Sequence, residues 1–115
     1  MRHKKGNKKL NKPTDQRLAM IRSIAISLFK HDHVSTTRAR AKEVQRYVEK
    51  ILTIIKEPTF NNIRSILKLI PNKDILKIII VKSQRYKDVK GGYTRIFHLP
   101  NRLGDNAKLS RLELV

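Results

Sequence analysis

Histidine and carboxylate side chains are the groups in this sequence that could hold a metal ion or carry out catalysis. His31 and His33 are separated by one residue, a spacing that places both side chains on one face of a strand, where they could bind a metal. No third ligand is evident beside them, and the 9 carboxylates are scattered singly, although folding could still assemble a cluster. There is no Cys and no apparent Ser/His/Asp arrangement. We therefore expect no enzyme, no metal site, no cofactor and no small-molecule substrate.

Cationic side chains far outnumber anionic ones. The chain has 27 Lys and Arg residues against 9 Asp and Glu, a formal net charge of +18. A compact domain with this imbalance destabilises itself by self-repulsion, so we expect a polyanion to neutralise it in its working state. Nucleic acid is the first candidate. An anionic membrane is not the expected partner, because the chain has no Trp, its charge is not confined to one helix, and no apolar run approaches the roughly 18 residues of a spanning helix.

The first 13 residues form a basic segment with almost no apolar surface. Apart from the initial Met, Leu10 is its first hydrophobic residue, so nothing in it repays the roughly 1 to 2 kcal/mol per residue of backbone entropy lost on ordering. We interpret residues 1–13 as a tail that threads between nucleic-acid segments and residues 14–115 as one compact domain. A solubilising, nonspecific tail is the alternative. The candidate contacts of the tail and its root are Arg2, His3, Lys4, Lys5, Lys8, Lys9, Asn11, Lys12 and Arg17.

A second basic cluster lies at the start of a clear amphipathic helix. Thr37 can cap this helix, and the free N–H groups and positive end of a helix favour a phosphate. Beyond the cap, basic residues recur every four positions along one helix edge, at Arg38, Lys42, Arg46 and Lys50. A solvated helix face is the alternative interpretation. The candidate contacts in this cluster are Thr36, Thr37, Arg38, Arg40, Lys42 and Arg46.

The sequence GGYTR forms a third candidate contact. It is not a phosphate-binding P-loop, because it lacks the Gly-Lys-Ser/Thr arrangement that opens a helix. Gly91 and Gly92 allow close backbone approach to nucleic acid, and Tyr93 offers a stacking face. Arg95 and Arg102 offer phosphate contacts. A tight turn with Tyr93 in the core is an equally good interpretation.

Helical patterns account for the first half of the compact domain. Apolar residues recur at helical spacing over 15–30, at Leu18, Ile21, Ala25 and Leu28, with Pro13 and Thr14 offering the N-cap. The β-branched stretch 34–36 favours one extended segment. The next helix is predicted over 38–56, and its apolar face consists of Ala41, Val44, Val48, Ile51, Leu52 and Ile55.

The second half combines two shorter helical patterns with two strands. A helix is predicted over 60–70, which Pro71 ends. Residues 72–82 are ambiguous, because a run of Ile and Val can form a buried strand or a helix, but Asn72 as a cap and Asp74 in the first turn favour a helix. Residues 93–99 have strand propensity, with Tyr93, Arg95 and Phe97 expected on one side. Together with residues 109–115 they are predicted to form a hairpin.

Three blocks, in matching order and spacing, resemble the bacterial large-subunit ribosomal protein L17 family. They are RHKKGNKKLNK at the start, STTRARAKEVQRYVEKILTIIK in the middle, and GGYTRI with RLGDNA and LEL near the end. Gln45 stands where the family usually has a basic residue, so it is not among the candidate contacts. The most specific part is Thr36 and Thr37 followed by RAKE, then Arg46, Glu49 and the ending from Thr53 to Lys56.

The resemblance implies a two-layer α+β fold with the order helix, strand, three helices and two strands, the helices on one side of a small sheet, and an extended basic N-terminal tail. It also implies a structural constituent of the large ribosomal subunit that binds and stabilises large-subunit rRNA near the peptide exit tunnel, beside ribosomal protein L32. Because the family's tail motif begins at residue 2, no transit peptide and a ribosome-bound location in a bacterial cytoplasm are expected. A DNA-binding architectural, histone-like protein is the alternative function.

Overall fold

The computed structural model describes residue 10 and residues 12–115, and these form an α+β fold. In chain order the elements are α1 (Thr14–His31), β1 (His33–Thr37), α2 (Arg38–Ile55), α3 (Phe60–Leu69), α4 (Lys73–Ser83), β2 (Thr94–Leu99) and β3 (Leu109–Leu114), with a 3-10 turn at Gln84–Tyr86. The predicted order of helix, strand, three helices and two strands is confirmed. Most of the predicted tail lies outside the described residues.

The helix α2 is the centre of the core. Its apolar residues recur every three or four positions without a Gly or Pro to interrupt them, which gives one continuous buried face. Thr37 is its N-cap residue, as predicted, but the Thr37 side chain accepts no hydrogen bond from the first turn. All six predicted core residues are fully buried: Ala41, Val44, Val48, Ile51, Leu52 and Ile55.

The helix α1 packs on α2 through a face that matches the predicted one from Ile21 onward. Ile21 and Ala25 are buried, whereas Leu18, one turn earlier, is exposed. The buried part of this face therefore begins at Ile21. The N-cap residue is Pro13, whose carbonyl accepts the Arg17 N–H at 2.9 Å. No side chain caps α1, so the predicted contribution of Thr14 to the cap is wrong.

The ambiguous stretch 72–82 is helical. Asn72 Oδ1 accepts the N–H of Asp74 at 3.0 Å and that of Ile75 at 3.3 Å, which is the capping pattern expected from the sequence. The preceding helix α3 is capped in the same way by Thr59, whose hydroxyl accepts the Asn62 N–H. The run of Ile and Val in α4 is buried on one side only, because Ile75 and Ile79 face the core and Val81 is exposed.

The sheet is antiparallel, with β3 in the middle of the order β1-β3-β2. The predicted hairpin of β2 and β3 is confirmed, and the sequence did not indicate that β1 also pairs with β3. Alternate residues of β3 are buried, so Ser110 and Leu112 point toward the helices while Arg111 lies on the outer face. The hydroxyl of Ser110 is fully buried and has no hydrogen-bond partner among the described residues. The core fills the space between the helices and this inner face.

Tyr93 does not lie on the same side of the strand as Arg95 and Phe97, contrary to the predicted alternation. Tyr93 precedes β2, which begins at Thr94, and only 1% of Tyr93 is exposed, whereas Arg95 and Phe97 are exposed on the sheet. Gly92 has a φ of +68°, and this left-handed residue turns the chain so that the Tyr93 ring enters the core. There the ring packs against Tyr86, with centroids 5.2 Å apart.

Asp32 connects α1 to β1 and holds the end of α4. Its φ of 64° is left-handed, and its N–H donates to the Leu28 carbonyl, which ends α1. The Asp32 carboxylate accepts a hydrogen bond from Lys82 Nζ at 2.7 Å. That hydrogen bond is the main cause that holds the pKa of Asp32 below its usual value of 3.8. Because of this turn, His31 ends a helix and His33 begins a strand, so the predicted placement of both on one strand face is wrong.

Candidate nucleic-acid interface

The start of α2 has unsatisfied donors and no acidic side chain. The first turn contains no Asp or Glu. The Thr37 hydroxyl accepts no hydrogen bond from the helix, so the N–H groups of Ala39 and Arg40 lack the acceptor that a capping side chain supplies. Nε of Arg38 is buried and has no hydrogen-bond partner among the described residues. The partial positive charge of the helix end adds to that of the two arginines. This arrangement suits a phosphate oxygen, which accepts hydrogen bonds from such groups.

The connection between β2 and β3 adds cations beside this helix start. We call the helix start, with Thr37, Arg38 and Arg40, together with this connection the α2 corner. The N–H of Arg38 donates to the Lys108 carbonyl at 2.9 Å, which fixes the connection beside the helix start. Arg102 is exposed in this connection and pairs with Asp105 at 3.3 Å. Asp105 also accepts the Ala107 N–H at 3.1 Å, as expected for a residue that bonds its own turn. The structure therefore brings the connection that contains Arg102 and Lys108 to the start of α2, a grouping that the sequence did not indicate.

The two threonines of the corner point in opposite directions. Thr36 pairs with Ser110 on the inner face of the sheet, whereas Thr37 pairs with Leu109 on the outer face. Both are partly exposed. A single phosphate at the helix start can therefore meet Thr37 and the two arginines, while Thr36 faces the helices.

The basic edge of α2 continues away from this corner. Lys42, Arg46 and Lys50 are exposed along it, as the four-residue spacing predicts, and Arg38 at its start is partly buried. The edge is not wholly cationic, because Glu43 and Tyr47 lie beside Arg46 and Lys50. A polyanion lying along α2 would therefore meet three exposed cations at one-turn intervals.

The glycines of GGYTR lie at the opposite end of the sheet from the α2 corner. The two ends are separated by the length of β2, about 17 Å for a five-residue step. Gly91 and Gly92 are both exposed, and nothing lies within 4 Å of the position that a Cβ would take at either one. An approaching backbone would therefore meet no side chain there, and contact of these glycines with RNA stays a prediction. Tyr93 offers no stacking face, because its ring is in the core.

A row of α2 side chains holds this glycine loop in place. Glu49 accepts the Tyr93 N–H at 3.3 Å, the Thr94 N–H at 3.0 Å and the Thr94 hydroxyl at 2.7 Å. Gln45 Nε2 donates to the same hydroxyl at 3.1 Å. Lys56 Nζ donates to the Val89 carbonyl and lies 5.3 Å from the centre of the Tyr93 ring. We call Gln45, Glu49 and Lys56 the loop clamp.

The loop clamp was not predicted from the sequence. Glu49 and Lys56 belong to the most specific family block, but spacing along a helix does not reveal a partner more than 30 residues away in the chain. The resemblance indicated only that Gln45 is unusual there. In the structure Gln45 contacts Thr94, so it supports the loop and not the basic edge.

The remaining candidate contacts are divided between the sheet and the tail. Arg95 is exposed on the outer face of the sheet, opposite Glu113. Arg17 lies in the first turn of α1 and is partly buried, close to the root of the tail at Lys12. Seven predicted tail contacts lie outside the described residues: Arg2, His3, Lys4, Lys5, Lys8, Lys9 and Asn11.

Two further features of the described residues bear on other chemistry. Within residue 10 and residues 12–115, no three or more His, Cys, Asp or Glu residues lie together in a group that could hold a metal. Among the helices described, none combines the length and apolar character needed to cross a membrane.

Comparison with known proteins gives the family. The family described as Ribosomal protein L17 matches residues 20–115. A protein of Dictyoglomus thermophilum named Large ribosomal subunit protein bL17 is 45% identical over the full length of both chains, and a protein of Dictyoglomus turgidum with the same name is 43% identical, also over both full lengths. The α2 corner and the basic edge of α2 lie within the residues that the family matches. The chain belongs to the ribosomal protein L17 family and is a structural, non-catalytic protein of the large ribosomal subunit.

Proposed function

We propose that this protein binds and stabilises large-subunit rRNA near the peptide exit tunnel. The observation that carries the proposal is the α2 corner, where uncapped helix N–H groups lie beside Arg38, Arg40 and the connection that holds Arg102. Folded RNA presents mainly phosphates, because its major groove is too deep and narrow for side chains to read. A site made of backbone donors and arginines is suited to such a surface. The net charge of +18 supports it.

The tail is proposed to act with this corner. The basic residues before Pro13 thread between rRNA segments and reduce the repulsion between backbones that lie close together. Arg17 lies at the root of this tail in α1. The expected neighbour is ribosomal protein L32, and the expected location is the ribosome of a bacterial cytoplasm; both follow from the family resemblance.

Sedimentation tests the assignment as a whole. The tagged protein in a cell lysate is expected to sediment with the large subunit at physiological salt. Protein that sediments free of the large subunit would overturn the proposal. Competition between duplex DNA and structured rRNA then separates an rRNA-binding protein from a DNA-binding architectural one, because only the first prefers rRNA.

Salt dependence tests the tail. Deleting residues 1–12 removes six Lys or Arg residues, so the slope of log affinity against log salt for rRNA should fall by about four to five units. Replacing Lys68, Lys73 and Lys77 with Gln removes charge from exposed positions of α3 and α4 and is the control, with little expected change. An unchanged slope after the deletion would show that the tail does not contact phosphates.

A separate variant tests whether the α2 corner contacts rRNA. Replacing Arg38 and Arg40 with Gln should weaken rRNA binding and lower the slope by about one unit per lost phosphate contact. The chain should remain folded, because neither side chain belongs to the buried apolar core. Full binding by this variant would remove the α2 corner from the interface.

A further inference from the structure

The outer face of the sheet carries an exposed aromatic ring among arginines. Phe97 lies in the middle of the edge strand β2 and is 44% exposed. The residue paired with it on β3 is Arg111, and Ser35 follows in the same row on β1. Arg95 lies two residues before Phe97 on the same face. A large apolar ring thus lies on the outer face of the sheet, next to two arginine positions.

The register fixes the spacing of these groups. Side chains paired across antiparallel strands have Cβ atoms about 4.5 to 5.5 Å apart, so Arg111 lies directly beside the Phe97 ring. The next residue along the strand on the same face is about 7 Å away, which places Arg95 on a second side of the ring. Glu113 is the carboxylate of this face: it pairs with Arg95 in the register, and its Oε1 lies 2.7 Å from Arg111 Nε. This contact is an ion pair without hydrogen-bond geometry, since the buried Nε has no hydrogen-bond partner among the described residues.

This face is continuous with the proposed phosphate site. Thr37, which precedes the first turn of α2, lies in the row of Leu109 and Leu99 on the outer face, next to the row that contains Phe97. An RNA strand that leaves the α2 corner can therefore cross the sheet from Thr37 toward Arg95 over about 17 Å, four strand residues along and two strand spacings across. Its bases would pass over the ring while its phosphates pass between the arginines.

We propose that the outer face of the sheet binds an unpaired RNA nucleotide by stacking its base on Phe97, with Arg95 and Arg111 on the adjoining phosphates. The proposal rests on the rRNA binding proposed above. It extends that binding from phosphates to bases, which every nucleotide offers as a flat surface for an aromatic ring. The partly apolar row of Leu99 and Leu109 gives a protein surface as the competing occupant, and the test separates the two.

A tryptophan reporter gives the first test. The chain contains no Trp, so Phe97→Trp introduces a single fluorophore at the proposed stacking position. Phe60→Trp is the matched control, because Phe60 is 74% exposed and also lies beside an arginine, with the Arg64 guanidinium 5.6 Å from the centre of its ring. A single-stranded 12-nucleotide oligoadenylate should quench the reporter at position 97 and leave the reporter at position 60 unchanged. Equal quenching of both reporters, or none at position 97, would overturn the proposal.

Affinity gives the second test. Phe97→Leu keeps an apolar side chain but removes the aromatic face, so it should bind the oligoadenylate about tenfold more weakly, while Phe97→Trp binds at least as well as the original chain. Equal binding by the Leu and Trp variants would overturn base stacking and favour an apolar protein contact. The original chain is measured against large-subunit rRNA in parallel. Failure of that binding would overturn the proposed function itself, whereas normal rRNA binding with no effect at position 97 would overturn this inference alone.

Discussion

Replacing Glu49 with Ala should destabilise the fold and release the glycine loop. In the structure the Glu49 carboxylate accepts three hydrogen bonds, from the N–H groups of Tyr93 and Thr94 and from the Thr94 hydroxyl. Thr94 is only 7% exposed, so water cannot fully replace the lost acceptor. Hydrogen bonds to a charged group contribute about 1.5 to 3 kcal/mol each. The neighbouring loop is exposed, so water can reach part of the site. We therefore expect the free energy of unfolding to fall by about 3 kcal/mol, less than the sum of three bonds.

Urea denaturation measures this loss. Glu49→Gln keeps one acceptor oxygen and loses the charge, so about half the effect is expected from it. Glu57→Ala removes the same charge from an exposed position after α2 and should change the unfolding free energy by less than about 0.5 kcal/mol. Limited trypsin digestion should also cut faster after Lys87 and Lys90 in Glu49→Ala than in Glu57→Ala. A Glu49→Ala variant as stable as Glu57→Ala, with equal cleavage of the loop, would refute the loop clamp.

Three further substitutions test separate features. Asp32→Asn should lower the unfolding free energy at pH 7 by only about 0.5 kcal/mol, since the carboxylate is half exposed. Because the Lys82 hydrogen bond lowers the pKa of Asp32, its contribution to stability is present above pH 3.8 and is lost as the pH falls below that value. The urea midpoints of the variant and the original chain should therefore converge in acid. Gly92→Ala should cost about 1 kcal/mol through its left-handed φ, while Gly91→Ala should cost nothing; equal thermal midpoints would contradict this. Ser110→Ala should be neutral or stabilise by up to about 1 kcal/mol, because it removes an unpartnered buried hydroxyl; a clear loss in urea denaturation would reveal a bond that the structure does not show.

Local patterns in the sequence predicted the helices well. The buried face of α2 follows directly from apolar spacing, and Asn72 decided the ambiguous stretch 72–82 through hydrogen bonds to its own first turn. These features depend on residues three or four positions apart, which is why a single sequence reveals them. The hairpin of β2 and β3 could be predicted for a different reason, because two segments with strand propensity follow each other in the chain with only a loop between them.

Contacts between distant residues could not be predicted in this way. The alternation 93, 95, 97 placed Tyr93 beside Arg95, but the left-handed Gly92 starts the strand one residue later and turns the Tyr93 ring inward. Whether a glycine adopts that conformation depends on the surrounding structure, here on Glu49 of α2. The placement of the connection that contains Arg102 beside the start of α2 likewise depends on a bond between a loop carbonyl and a helix N–H.

The position of β3 determines when the sheet can form while the chain is being synthesised. β3 is the middle strand of the sheet but the last of the three in chain order, and neither β1 nor β2 pairs with the other. During synthesis helices that follow one another, such as α1 with α2 and α2 with α3, can pack as they emerge, because their contacts join neighbouring segments. The two outer strands have no partner in the sheet until residues 109–114 have been translated, so the sheet cannot form before that segment is made. A chain whose translation stops before Leu109 is therefore a helical fragment with two unpaired strands, a form prone to associate with other unfinished chains.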